Sequence, residues 1–175
     1  MKGVEGAIKI LVLYGDVPLI KKETLQKLIE SADSGLSILT TVLHDPFGYG
    51  MVIKDTDGNA LAIVEEKDSS VAEKEIKEIF TGVLCGTKEL IEESLEKIGN
   101  DNAANEYYLT DLVSIMSQNG IKIKTYNASN DEVKGANSKQ ELAQLEAIYR
   151  SMKSDELFNQ GITISDSSRL DVRGD

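Results

Sequence analysis

The sequence predicts an α/β fold, and three observations carry that prediction. Residues 8–14 read Ile-Lys-Ile-Leu-Val-Leu-Tyr, an almost unbroken apolar run. Such a run suits a strand buried on both faces, as in a parallel sheet. Leu25, Leu28, Ile29 and Ala32 then recur at helical spacing. Strand-type and helix-type patterns keep alternating along the rest of the chain.

In order, the first strand is expected over 8–14 and stops at Gly15-Asp16-Val17-Pro18. The helix after it ends at Gly35, a residue suited to the position past a helix end. A β-branched, apolar run over 36–43 is the second strand. Asp45-Pro46-Phe47-Gly48-Tyr49-Gly50 is a loop by its Pro and Gly content. Residues 51–54 and 60–65 flank Asp57-Gly58, a hairpin signal. A further strand is expected over 75–85 and a helix over 88–98, with Leu90, Ile91, Leu95 and Ile98 on one face. Residues 99–106 are polar and irregular, 107–118 helical, and 121–126 a strand. Ser138 opens a long helix, because Glu141 three residues on completes a capping box. Leu142, Leu145, Ile148, Tyr149 and Met152 supply its apolar face. The chain shows no internal repeat.

A length of 175 residues suits one domain or most of one, and can bury a sizeable core. The formal net charge of −11 argues against nucleic acid and against an anionic membrane surface as partners. It leaves a phosphate-bearing substrate open, because carboxylates can hold a divalent metal that holds the phosphate. A single cysteine, Cys85, rules out an internal disulfide and fits a reducing cytoplasm. It lies in an apolar run and reads as a buried small hydrophobe. His44 has no second His or Cys nearby, so zinc is not expected. No apolar run is long enough to span a bilayer, and no signal peptide is evident.

Several residues could carry chemistry. Asp16 follows a buried strand directly, and open α/β sheets bind ligands at strand carboxyl ends. One carboxylate there suits one Mg²⁺ contact, and equally suits a turn-forming Asp bonded to local backbone. Gly15 allows close backbone approach and Pro18 stiffens the turn. Gly48-Tyr49-Gly50 offers backbone N–H groups to a ligand, or is a plain loop. Glu65-Glu66-Lys67-Asp68 could accept hydrogen bonds from sugar hydroxyls, or be a solvated turn. Glu106-Tyr107-Tyr108-Leu109-Thr110 could wall a sugar site, or cap a helix. Asn137 precedes a helix, as a cap neighbour or as a neutral metal ligand.

The order and spacing of these segments resemble one family. Leu13-Tyr14-Gly15-Asp16-Val17-Pro18-Leu19, followed by Thr24-Leu25, is similar to the metal-binding strand end of the N-acetylglucosamine-1-phosphate uridyltransferase family. The 45–50 loop resembles that family's sugar loop, and Ile63-Val64-Glu65-Glu66-Lys67-Asp68 its sugar-binding strand. Asn102-Ala103 with residues 106–111, then Glu132-Val133-Lys134-Gly135-Ala136-Asn137 with Gln140, Leu142, Leu145 and Glu146, resemble the next two motifs. Arg169-Leu170-Asp171-Val172-Arg173-Gly174 resembles the junction into a left-handed β-helix, the acetyltransferase part of the bifunctional members.

The resemblance implies a partial Rossmann-like nucleotidyltransferase domain with a mixed, mainly parallel sheet. Residues 1–165 would be the C-terminal half of the uridyltransferase domain, and 166–175 the start of the junction. The implied reaction joins UTP and N-acetylglucosamine 1-phosphate to give UDP-N-acetylglucosamine and pyrophosphate. Asp16 and Asn137 would hold Mg²⁺ and act as the catalytic pair. Tyr14 and Gly15 would lie by the nucleotide. Gly50, Glu65, Tyr108 and Thr110 would contact the sugar or its acetamido group. An oligomer is left open. The family's glycine-rich phosphate loop, with its Arg and later Lys, does not precede Ile8, so little activity is expected of the chain alone. Phe80 stands where the family usually has Asn, and Met51 where it usually has a basic residue. Both leave another sugar 1-phosphate, or a non-catalytic sugar-nucleotide-binding module, as alternatives.

Overall fold

A computed structural model describes residue 6 and residues 8–172, except the side chain of Ser34. Six strands form one mixed sheet: β1 (Lys9–Val12), β2 (Leu36–Val42), β3 (Met51–Lys54), β4 (Ala60–Val64), β5 (Glu78–Thr87) and β6 (Ile123–Asn127). Their spatial order is β1-β5-β2-β6-β4-β3, with β3 also touching β5. The helices are α1 (Lys22–Ser31), α2 (Lys88–Leu95), α3 (Asp111–Gln118), α4 (Asn130–Val133) and α5 (Lys139–Asn159).

The sheet is mixed, as expected, but its balance differs from the expected parallel majority. Among the described residues only β2 and β6 pair in parallel. β5 inserts between β1 and β2 and runs against both. β1, β2 and β6 therefore share one direction, and β5 separates β1 from the other two.

Alternation along the central strands divides the core into two layers. Ile38 and Leu84 face one side, with Ile91, Leu112, Val113 and Met116 from α2 and α3. Leu39, Val83 and Cys85 face the other, against Leu28 and Ala32 at the end of α1. Helices thus cover both faces, as an α/β sheet needs. Cys85 is buried and free, and burial pushes its thiol pKa up, which makes it inert.

Several boundaries move from their expected places. A 3-10 turn, Glu73–Glu75, precedes β5 because Ser70 and Glu73 cap each other: the Ser70 N–H donates to Glu73 Oε2 at 2.7 Å, and the Glu73 N–H to Ser70 Oγ at 3.3 Å. α3 begins at Asp111 rather than 107. The Asn102 side chain holds residues 102–106 in a turn, donating to the Glu106 carbonyl at 2.5 Å and accepting from the Ala104 and Glu106 N–H groups at 3.2 Å. Ser138 does cap α5, accepting from the Glu141 N–H. Of the apolar face expected on that helix, Leu145 is buried while Leu142 is 48% exposed. A 3-10 turn at Ser167–Arg169 begins the expected junction, and residues 173–175 of it lie outside the described residues. No helix among the described residues is long and apolar enough to cross a membrane.

Among the described residues β1 lies at the edge of the sheet and not, as expected, buried on both faces; it is flanked by Ile8 at 78% and Leu13 at 46% exposure. An unpaired edge with apolar flanks is a template for pairing. The chain is expected to self-associate at micromolar concentration by light scattering. A strictly monomeric species that melts cooperatively would contradict this.

Candidate active site

Asp16 lies in the loop beyond the carboxyl end of β1, and Asn137 in the loop after α4. The two loops are tied directly. The Ala136 N–H donates to the Asp16 carbonyl at 3.0 Å. A Cβ on Gly135 would stand 3.6 Å from the Asp16 carbonyl oxygen, so the backbones pack closely. The Asn137 N–H donates to Glu141 Oε2 at 2.7 Å, which fixes the loop to the first turn of α5. Both side chains remain exposed.

The cleft floor comes from an irregularity in β5. Ile38 pairs with Leu84 but Thr40 pairs with Phe80, so three β5 residues face one of β2. This β-bulge centres on Gly82, whose φ of +86° suits glycine. The Thr81 hydroxyl stabilises it by donating to the Leu39 carbonyl at 2.9 Å. A Cβ on Gly82 would lie 2.1 Å from the Tyr14 ring. Glycine here lets that ring lie flat on the strand.

A second wall of the cleft is built from three segments. Glu65 follows β4, and its Oε1 accepts from the Thr110 hydroxyl at 3.0 Å. A Cβ on Gly50 would meet Ile63 Cγ2 at 2.6 Å and the Glu65 carboxylate at 3.4 Å. The Gly50 carbonyl accepts from the Phe80 N–H at 2.9 Å, which joins wall to floor.

These segments enclose a cleft of about 300 Å³. Six of the sequence-predicted residues line it: Tyr14, Asp16, Gly50, Glu65, Thr110 and Asn137. Tyr108 lines an adjoining hollow with Glu65, Glu66 and Glu106. Gly15 lines neither, and a Cβ there would touch nothing within 4 Å. Thr81, Gly82, Val17, Val133 and Gly135 line the cleft without having been singled out as ligand contacts. An isolated glycine inside a strand pattern is a signal of close approach, and would have marked Gly82.

Among the described residues, no three His, Cys, Asp or Glu side chains cluster as a metal cage. The donors fit a different arrangement. Asp16 and Asn137 offer hard oxygens, and Mg²⁺ commonly takes one or two protein ligands and completes its shell with phosphate and water.

Electrostatics separate the two ends of the site. Burial, then the charges of Asp68, Glu106, Glu65 and Asp111, push the Tyr108 hydroxyl pKa up, so it keeps its proton as a donor. Burial and Asp68 likewise raise the Asp111 carboxyl. Behind the Asn137 loop, Glu132 behaves oppositely. Burial pushes its carboxyl up, but the Thr24 hydroxyl and Lys21 outweigh this and hold it below its ordinary value. A depressed folded pKa means that the stabilisation is complete above the ordinary glutamate range and is lost as pH falls through the folded value. Glu132→Gln is expected to flatten the acid decline in stability between roughly pH 5 and pH 3, read from urea midpoints. An unchanged decline would contradict the depressed pKa.

No family model matches the chain. Individual relatives do. It is 46% identical over 167 residues to the Bifunctional protein GlmU of Alcanivorax borkumensis, covering 94% of this chain and 37% of that protein. Over nearly its whole length the chain is similar to one part of a GlmU protein. The GlmU of Neisseria meningitidis is 44% identical over 167 residues, and that of Idiomarina loihiensis 41% over 168, each with 95% of this chain and 37% of the relative covered. The chain thus spans little more than a third of these GlmU proteins' length. Solved structures agree on the fold at low identity. A nucleoside-diphosphate-sugar pyrophosphorylase from Vibrio cholerae matches with a TM-score of 0.58 at 14% identity, over 79% of this chain and 55% of its own. A CMP:2-keto-3-deoxy-manno-octonic acid synthetase complexed with CTP matches at 0.57 and 14%, over 84% and 64%. The GlmU-related chain therefore has a nucleotidyltransferase fold.

Proposed function

We propose that this chain supplies the sugar-holding and metal-holding part of a sugar-1-phosphate uridyltransferase site. The reaction joins UTP and N-acetylglucosamine 1-phosphate. The sugar phosphate oxygen attacks the α-phosphorus and the bond to the β-phosphate oxygen breaks, releasing pyrophosphate. The observation that carries this reading is the meeting of Asp16 and Asn137 with Glu65, Gly50 and Thr110 on one cleft. In the proposed roles, Glu65 accepts hydrogen bonds from sugar hydroxyls while Thr110 fixes its rotamer. Tyr14 lies beside the nucleotide, with Gly15 behind it. Tyr108 donates to the sugar from the adjoining hollow. Asp16 and Asn137 hold Mg²⁺, which when bound neutralises phosphate charge. Residues 1–165 correspond in this reading to the C-terminal half of the uridyltransferase domain, and 166–175 to the start of its junction.

Among the described residues no Arg or Lys lines the cleft, so the charge of a triphosphate finds no basic partner among them. The chain alone is expected to bind product and to release pyrophosphate only weakly. A calorimetric titration with UDP-N-acetylglucosamine and Mg²⁺ tests this, once circular dichroism has established folding. Saturable binding supports the reading, and a folded chain that binds no nucleotide sugar overturns it.

One observation favours a second reading, a different sugar. Phe80 lines the cleft and offers the sugar no hydrogen-bonding side chain. Met51 gives no such support, because it is 1% exposed and outside the cleft lining. Tighter binding of another UDP-sugar in the same titration would select this reading.

A further inference from the structure

Glu132 is a carboxylate buried to 8% exposure outside the cleft lining. Such a group is costly unless it is well partnered. It accepts from the Thr24 hydroxyl at 2.6 Å and from the Ser129 hydroxyl at 3.3 Å, and Lys21 Nζ stands 3.4 Å away. These partners lie on two elements with a common property. Lys21 and Thr24 belong to the start of α1, which the chain enters directly from the Asp16 loop. Glu132 belongs to α4, which the chain leaves directly into the Asn137 loop.

α4 has four residues, too few to hold its own shape. Its placement depends on tertiary contacts: Asn130 Oδ1 accepts from the Thr41 hydroxyl of β2 at 2.5 Å, and Glu132 provides the polar contact to α1. The two loops are therefore joined twice: at the front by the Ala136–Asp16 backbone bond, and behind by the Glu132–Thr24 bond. A single link leaves a pivot, whereas two fix the relative orientation.

We propose that Glu132 and Thr24 are positioning residues whose buried hydrogen bond sets the separation of the Asp16 carboxylate and the Asn137 amide. The inference rests on the reading of those two groups as metal ligands. Groups that orient ligands without touching the metal commonly change affinity by about 10–100-fold when removed.

The test uses the whole chain and Mn²⁺ alone, followed by electron paramagnetic resonance. The site's share of binding is the part lost in Asp16→Asn. Glu132→Ala and Thr24→Val are each expected to weaken that share about tenfold. Glu132→Gln, which still offers Oε1 to Thr24, should restore most of it. The Glu132→Ala, Thr24→Val pair should combine to less than the product of the single effects. Loss of melting temperature with unchanged Asp16-dependent affinity would overturn the positioning role and leave the metal reading intact. Mn²⁺ binding indifferent to Asp16→Asn would overturn both. If Glu132→Ala fails to fold, Thr24→Val decides, since it removes only the hydroxyl from the same bond.

Discussion

Glu65→Ala is expected to weaken binding of UDP-N-acetylglucosamine by about 100-fold or more while leaving the chain folded. The carboxylate offers several acceptor sites and uses one of them on Thr110. The remainder faces the cleft. Each hydrogen bond to a charged group contributes about 1.5–3 kcal/mol, so two sugar hydroxyls account for the estimate. Thr110→Val should have a smaller effect, about tenfold, because it frees the carboxylate rather than removing it. Calorimetric titration of both variants measures the ordering. Equal effects, or a Glu65→Ala variant that binds like the parent, would contradict the assigned roles.

Gly50→Ala is expected to cost about 1–3 kcal/mol of stability, the usual range for overpacking a filled site. The new methyl would meet Ile63 Cγ2 at 2.6 Å, on a strand paired with the one that Gly50 precedes. Either the hairpin opens or Glu65 shifts, so sugar binding should fall with stability. Gly15→Ala is the contrasting case. It has open space around it and no positive φ, so its stability should stay within about 0.5 kcal/mol. Any loss there would have to show itself only with ligand bound. Chemical denaturation of the two variants reads the difference. A neutral Gly50→Ala would show that the hairpin yields more readily than its packing implies.

The sequence exposed much of this because several signals were local. The β3–β4 hairpin is announced by Asp57-Gly58, and β3 occupies the expected residues. Asp16 stands where an apolar strand run meets a Gly and a Pro, although that strand proves to be an edge strand with only Ile10 buried. Features set by distant residues were hidden. β5's direction depends on which neighbours it inserts between, and its apolar run reads alike either way. α4 is too short to show a period. Glu132 resembled surface acid until Thr24, more than a hundred residues earlier, came into contact with it. Leu142 matched a helical face, but the structure sets little against it. Gly82 inside a strand pattern was a local sign of irregularity, but the register that the bulge sets against β2 was not legible.

That bulge has a mechanical meaning. Residues 78–80 of β5 keep register with the far end of β2 and touch β3, while residues 84–87 keep register with β1 and the near end of β2. The strand works as a splice between two plates of sheet that cannot slide past one another as a unit. The Glu65 wall is fastened to one plate through Gly50, and the Asp16 loop grows from the other through β1. Gly82 lies on the cleft floor where these two registers of β5 meet, so the bulge is the joint between the two halves of the cleft.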